Sequence, residues 1–299
     1  MPVTIRRVDS VEADYRCYFC FARTFERLME KHRLTAGEKK AVAAEMFSHF
    51  HNGSSGFSVP VLSRELYSLF RERSGIADPY KQIKYESNER LLGEYALFRE
   101  RIDQSDDPFE IALRLAVAGN IIDYGVSDHH DLEGTMAMVL DGPFAINHVG
   151  RLKQRLAEAR TVLYLGDNAG EIVFDKLFIE TFRHPNIWYA VRGAPVINDA
   201  TRRDAAQVGM EEVAEVIDNG YDAPSTLPEM CSADFQQLYS EADLVISKGQ
   251  GNLEGLIDAS RGDIFFLLMV KCEVIADRLG VAKGSFVCAD NKSKREKAG

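Results

Sequence analysis

The chain has 299 residues, 45% hydrophobic and 27% charged, with a formal net charge of −10. At this length a folded chain buries roughly 75% of its unfolded surface, so a full core is within reach. The acidic balance argues against a general nucleic-acid binder, which needs a basic face, and the longest apolar run, Ile264 to Val270, falls far short of the ~20 residues of a membrane span.

The first half reads as helical. Val11 to Leu34 carries apolar residues at helical spacing, with Cys17 and Cys20 on one face. No second CxxC and no His pair at finger spacing accompanies them, so buried apolar thiols are expected rather than a zinc site. With Cys231, Cys272 and Cys288 they make an odd, sparse set that does not resemble a disulfide framework. The opening stretch lacks an apolar signal core, and a reduced, cytoplasmic protein is expected. Thr35 and Glu38 fit a capping box. His51 to Ser58 reads as a loop by composition, and a helical pattern resumes at Pro60. Asp78-Pro79-Tyr80 marks a boundary, because the residue before proline is pushed out of helical dihedrals. Pro108 to Tyr124 is apolar nearly all round and is expected to be a buried helix with Asn120 and Asp123 on one face. His129 and His130 read as solvated surface.

From about residue 160 short β-rich runs alternate with helical stretches: Val162–Leu165, Ile187–Val191, Val213–Ile217, Leu244–Ile246 and Ile264–Val270. Such alternation predicts an α/β fold, a parallel sheet with helices on both faces. The expected division is a helical N-terminal domain over 1–155, an α/β domain over 156–290 and a loose, charged tail over 291–299.

Each of these runs is followed at once by polar residues, and in open α/β sheets ligands bind beyond the carboxyl ends of the strands. The first leads into Asp167, Asn168 and Glu171, the second into Arg192, then Asn198 and Asp199, the fourth into Lys248-Gly249-Gln250-Gly251-Asn252, and the fifth into Lys271. Asp167, Asn168 and Asp199 offer hard oxygen ligands suited to Mg²⁺ or Mn²⁺. Lys248 and the glycine-rich start of the next helix suit a phosphate. Singly, Asp167-Asn168 and Asn198-Asp199 are equally ordinary helix caps, and Lys248 equally an ordinary surface lysine. Only their joint placement points to one site. Neither G-x-S-x-G nor H-E-x-x-H is present.

Asp167-Asn-Ala-Gly-Glu171, Arg192-Gly-x-Pro195-x-x-Asn198-Asp199 and Lys248-Gly-Gln-Gly-Asn252-x-Glu254 together resemble the damage-control phosphatase family, also catalogued as domain of unknown function 89. Asp78-Pro-Tyr-Lys81-x-x-Lys84, Ala118-Gly-Asn120-Ile-Ile-Asp123, Cys17-x-x-Cys20 and Gly251-Asn-Leu-Glu254 extend the resemblance, the last two to its subfamily I. Leu253 stands where that subfamily usually shows Phe, and Ser225 where Gly is expected. The resemblance implies a helical part packed on a Rossmann-like part, and one divalent ion (Mn, Co, Ni or Mg) held by Asp167, Asn168 and Asp199. It also implies phosphatase activity on sugar phosphates or damaged phospho-metabolites.

The expectation for the site is therefore as follows. Asp167, Asn168 and Asp199 hold the metal. Lys248 and the backbone at Gly249 and Gly251 stabilise the transferred group. Asn120, Asn198 and Asn252 contact phosphate or ligand, and Glu171 and Glu254 handle protons or substrate hydroxyls. An aspartate or a water as nucleophile is left open. The partner is a small phosphorylated metabolite, with no nucleic acid and no membrane. An S-adenosylmethionine-dependent methyltransferase and a non-catalytic metal- or metabolite-binding protein are the alternatives.

Overall fold

A computed structural model of the chain describes residues 12–52, 58–124, 140 and 142–291. Three N-terminal helices form a small cluster: α1 (Tyr15–Lys31), α2 (Ala36–Asn52) and α3 (Val59–Ser74). Their ends follow local chemistry. Asp14 caps α1 by accepting from the Arg16 amide, and Thr35 and Glu38 exchange the expected capping-box bonds. Ser58 caps α3, which stops at Gly75 in the left-handed conformation, φ 69°. Phe25, Leu28, Leu66, Tyr67 and Phe70 pack between these helices, and Val196 from a distant loop joins them.

Three more helices follow, α4 (Lys81–Gly93), α5 (Tyr95–Asp103) and α6 (Pro108–Tyr124). As expected, α6 is buried, with Leu113, Leu115 and Ala116 inaccessible to solvent. Then come β1 (Phe144–Asn147), α7 (Val149–Glu158), β2 (Val162–Leu165), α8 (Glu171–Phe182), β3 (Ile187–Val191), α9 (Arg202–Val208) and β4 (Glu215–Asp218). The chain closes with α10 (Ala233–Glu241), β5 (Leu244–Lys248), α11 (Gly249–Leu256), β6 (Ile264–Met269), α12 (Glu273–Leu279) and β7 (Phe286–Asp290).

The sheet has seven strands in the order β1-β7-β6-β5-β2-β3-β4. All neighbours are parallel except β6 and β7. Successive side chains of a strand point to opposite faces, and both faces are covered. Tyr164, Ile246 and Phe265 pack under α4–α9, whereas Leu163, Val245 and Phe266 pack under α3 and α10–α12. The expected α/β class is what the chain adopts. The region before residue 155 is not purely helical, since β1 joins the sheet, and Leu91, Phe98 and Leu113 from α4–α6 share one core with Tyr164. Among the described residues no helix is long and apolar enough to cross a membrane.

Chain order reverses at β2. From there the path runs outward through β3 and β4 on one side, and resumes at β5 on the other. That reversal opens a crevice at the carboxyl ends of β2 and β5.

Candidate active site

The crevice gathers the expected ligands. Asp167 and Asn168 follow β2, and the loop after β3 returns to them. Asn168 bridges Asp199, the Ala169 amide donates to the Asn198 carbonyl (2.9 Å), and the Ala200 amide donates to the Asp167 carbonyl (2.8 Å). That loop is fixed from behind, because Val196 sits in the α1–α3 core with Ile197 against it. Ile197 adopts φ 45°, a region that a β-branched residue occupies only under strain. Neither polar pair is a helix cap. The start of α8 has Gly170 at its cap and no side-chain bond, and α9 is capped by Thr201 with Asp204.

Arg192 ties the two carboxylates together. Its Nε donates to Asp199 Oδ2 at 2.6 Å, and its Nη2 lies 3.7 Å from Asp167 Oδ1 with no hydrogen-bond partner among the described residues. Burial raises the pKa of both aspartates. For Asp167 the neighbouring Asp199 and Glu171 carboxylates push it further; for Asp199 the Arg192 guanidinium opposes the rise. Glycine makes room for Asp167: a Cβ at Gly249, φ 76°, would stand 1.9 Å from its Oδ2.

These residues fit a divalent cation. Two buried carboxylates, Asp167 and Asp199, face one guanidinium, an excess of negative charge that a cation would balance. Asn168 turns its Nδ2 to Asp167 Oδ2 (2.7 Å) and Glu171 Oε2 (3.2 Å), which leaves Oδ1 as its free ligand atom. Oxygen donors of this kind suit Mg²⁺ or Mn²⁺. Among the described residues no group of three or more His, Cys, Asp or Glu could hold a metal, so the set would be two carboxylates and one amide.

A cavity of about 650 Å³ opens over this set. Asp167, Asn168, Asn198, Asp199, Gly251 and Glu254 line it, as expected of them. Lys248 and Asn252, expected at the phosphate, do not, and neither does Glu171. Lys248 is fully buried, its Nζ 2.5 Å from both Glu171 Oε1 and Asp175 Oδ1. Burial alone would lower its pKa, but the Asp175 and Glu171 carboxylates outweigh that and raise it. Asp175 is held in turn by the hydroxyls of Tyr164 and Tyr189, each at 2.7 Å. Asn252 is equally committed. Its Nδ2 donates to the Gly166 and Lys248 carbonyls, and its Oδ1 accepts from Arg192 and Thr226. The side chain of Asn120, and His129 and His130 altogether, lie outside the described residues.

Lys271, two residues beyond β6, opens on the cavity instead. Its charge pulls down the pKa values of Asp167, Asp199 and Glu254. The thiols also depart from expectation. Cys17 is half-buried and Cys20 exposed, and both line the mouth of the cavity together with Cys272. Burial pushes the Cys17 thiol up to about 11. Leu253 and Ser225 are both buried and neither lines the cavity, Ser225 packing against Gly255.

The sequence and the fold have relatives among known proteins. The chain is 30% identical over 293 residues, covering 95% of this chain and all of the other, to the damage-control phosphatase PH1575 of Pyrococcus horikoshii. It is 35% identical to a damage-control phosphatase of Archaeoglobus fulgidus over 234 residues, 76% of this chain and 80% of that one. The crystal structure of the Pyrococcus horikoshii protein, described as a DUF89 family protein, superimposes with a TM-score of 0.82 at 29% identity, over 94% of this chain and 99% of that one. The model of the damage-control phosphatase ARMT1-like domain matches residues 13–287, and the chain belongs to that family.

Proposed function

We infer that the protein is a metal-dependent phosphatase hydrolysing phosphomonoesters of small metabolites, sugar phosphates or damaged phospho-compounds. The observation that carries this reading is the pairing of Asp167 and Asp199 about one guanidinium, with the Asn168 oxygen beside them, on the floor of a metabolite-sized cavity. The names of the relatives favour the same reaction.

Asp167, Asn168 and Asp199 would hold the divalent ion (Mn, Co, Ni or Mg), which when bound supplies a Lewis acid for a phosphoryl oxygen and a bound water of lowered pKa. Lys271 stabilises charge on the transferred group, with the amides at the start of α11 around Gly251 behind it. Arg192 orients Asp199, and Glu171 orients Asn168. Lys248 acts through Glu171 rather than on substrate.

The test is release of inorganic phosphate from a panel of sugar phosphates and other small phosphomonoesters, with each of the four ions and with a chelator. Metal-dependent release that the chelator abolishes supports the reading. No release from any ester with any ion refutes it and favours a non-catalytic binding protein.

A further inference from the structure

Glu171 and Glu254 were both expected to handle protons or hydroxyls, and the structure separates them. Both oxygens of Glu171 are taken, Oε1 by the Lys248 ammonium and Oε2 by the Asn168 amide, and the residue does not reach the cavity. Glu254 does reach it. It lies on the same face of α11 as Gly251, three residues earlier, and a Cβ on Gly251 would stand 4.0 Å from Asp167 Oδ1. Glu254 therefore faces the same cavity as Asp167 and Asp199. Its Oε1 accepts from Gln250 Nε2 at 2.9 Å, and Oε2 has no hydrogen-bond partner among the described residues.

The charged and titratable groups that share the cavity with it are Arg16, Cys17, Cys20 and Arg23 on α1, Asp167 and Asp199, Lys271 after β6, Cys272 and Glu273 at the start of α12, and Lys283. Burial raises the Glu254 carboxyl to about 7, against the downward pull of Gln250 and Lys271. A group near the working pH is the efficient kind of proton donor.

We propose that Glu254 is the general acid of this site, giving its carboxyl proton to the bridging oxygen of the ester as the alcohol leaves. The proposal rests on the phosphatase reading above. The P–O(ester) bond breaks, its electron pair stays on the alcohol oxygen, and the Glu254 proton neutralises that oxygen. The water consumed overall places its oxygen on phosphorus, and one of its protons restores the Glu254 carboxyl. The products are the free alcohol and inorganic phosphate.

The experiment compares the full chain with Glu254→Gln and Glu254→Asp at saturating Mn²⁺ on two esters. One is p-nitrophenyl phosphate, whose phenolate leaves without a proton; the other is glycerol phosphate, whose alkoxide does not. Glu254→Gln is expected to lower kcat on glycerol phosphate by roughly 10²–10⁴-fold, to abolish the alkaline limb of its kcat–pH profile, and to leave aryl ester hydrolysis near wild type. Glu254→Asp recovers part of the alkyl activity. Retained aryl turnover also shows that the variant is folded. Equal loss on both esters, or loss on neither, overturns the assignment. If the wild-type protein releases phosphate from neither of these esters nor any ester of the panel above with any of the four ions, the phosphatase reading itself fails and this assignment falls with it.

Discussion

Asn168 gives its side-chain amide to Glu171 Oε2 at 3.2 Å, so a residue that never reaches the cavity decides which atom of Asn168 faces it. The other oxygen of Glu171 is held by Lys248 at 2.5 Å. A buried ammonium thus fixes a carboxylate, the carboxylate fixes an amide, and the amide presents oxygen. The reach of the floor's chemistry into the core makes the two lysines of the region separable by experiment.

Lys248→Met removes the cation from between two buried carboxylates. The expected loss is about 3–5 kcal/mol of folding stability, the cost of breaking a buried pair from one side, measured by urea denaturation. Lys271→Met is expected to leave the denaturation midpoint nearly unchanged and to lower turnover roughly 10²–10³-fold, the usual effect of removing one group that stabilises transition-state charge. Stable but inactive Lys248→Met protein would return Lys248 to the role first expected of it.

Gly249→Ala places a methyl where the Asp167 carboxylate lies, at a backbone φ of 76°. The strain of that conformation is worth roughly 1–2 kcal/mol, and the displaced carboxylate can no longer meet Asp199 about one ion. The variant is expected to remain folded and to lose the rise in melting temperature that Mn²⁺ confers on the parent, as read by calorimetry with and without the ion. An unchanged metal-induced rise would show that the position of Asp167 does not matter for binding.

Burial, with Asp199 and Glu171 close by, raises Asp167 above the ordinary carboxylate range. In the metal-free protein a raised carboxyl disfavours the fold increasingly as pH climbs through its folded pKa. A cation binds the deprotonated form, so binding releases protons and tightens over the same window. The apparent Mn²⁺ affinity is expected to rise steadily from mildly acidic to mildly alkaline pH, with proton release visible as buffer-dependent heats in titration calorimetry. A flat profile would mean that these carboxylates are already ionised without metal.

Cys17, raised to about 11 by burial, holds its proton at neutral pH. Because the thiolate is the reactive form, its alkylation by iodoacetamide is expected to be slow near neutrality and to accelerate steadily into alkaline solution, as followed by peptide mass spectrometry. Fast labelling at neutral pH would contradict the environment described for it.

Much of this site was legible before any coordinates. Asp167, Asn168 and Asp199 each follow a strong apolar strand, and parallel strands deliver their carboxyl ends to one rim, so types and positions alone brought them together. The two lysines were not distinguishable that way, since each stands where an apolar strand gives out. What separates them is depth: Lys248 is the last residue of β5 itself and reaches Glu171 on α8, whereas Lys271 stands two residues beyond the end of β6. A signal did exist. Glu171 and Asp175, four apart in a largely apolar helix, share one face, and buried carboxylates require a cation. β1 and β7, Phe-Ala-Ile-Asn and Phe-Val-Cys-Ala-Asp, escaped notice because neither is the unbroken aliphatic and aromatic run that marks β2 or β6. The thiols were misplaced because helical spacing tells which residues share a face, not whether that face meets core or cavity.

The most direct test of the central claim is anomalous scattering from a crystal soaked in Mn²⁺. The account predicts one strong peak bonded to oxygens of Asp167, Asn168 and Asp199 together. A peak seated elsewhere, or no peak at saturating Mn²⁺, would contradict it.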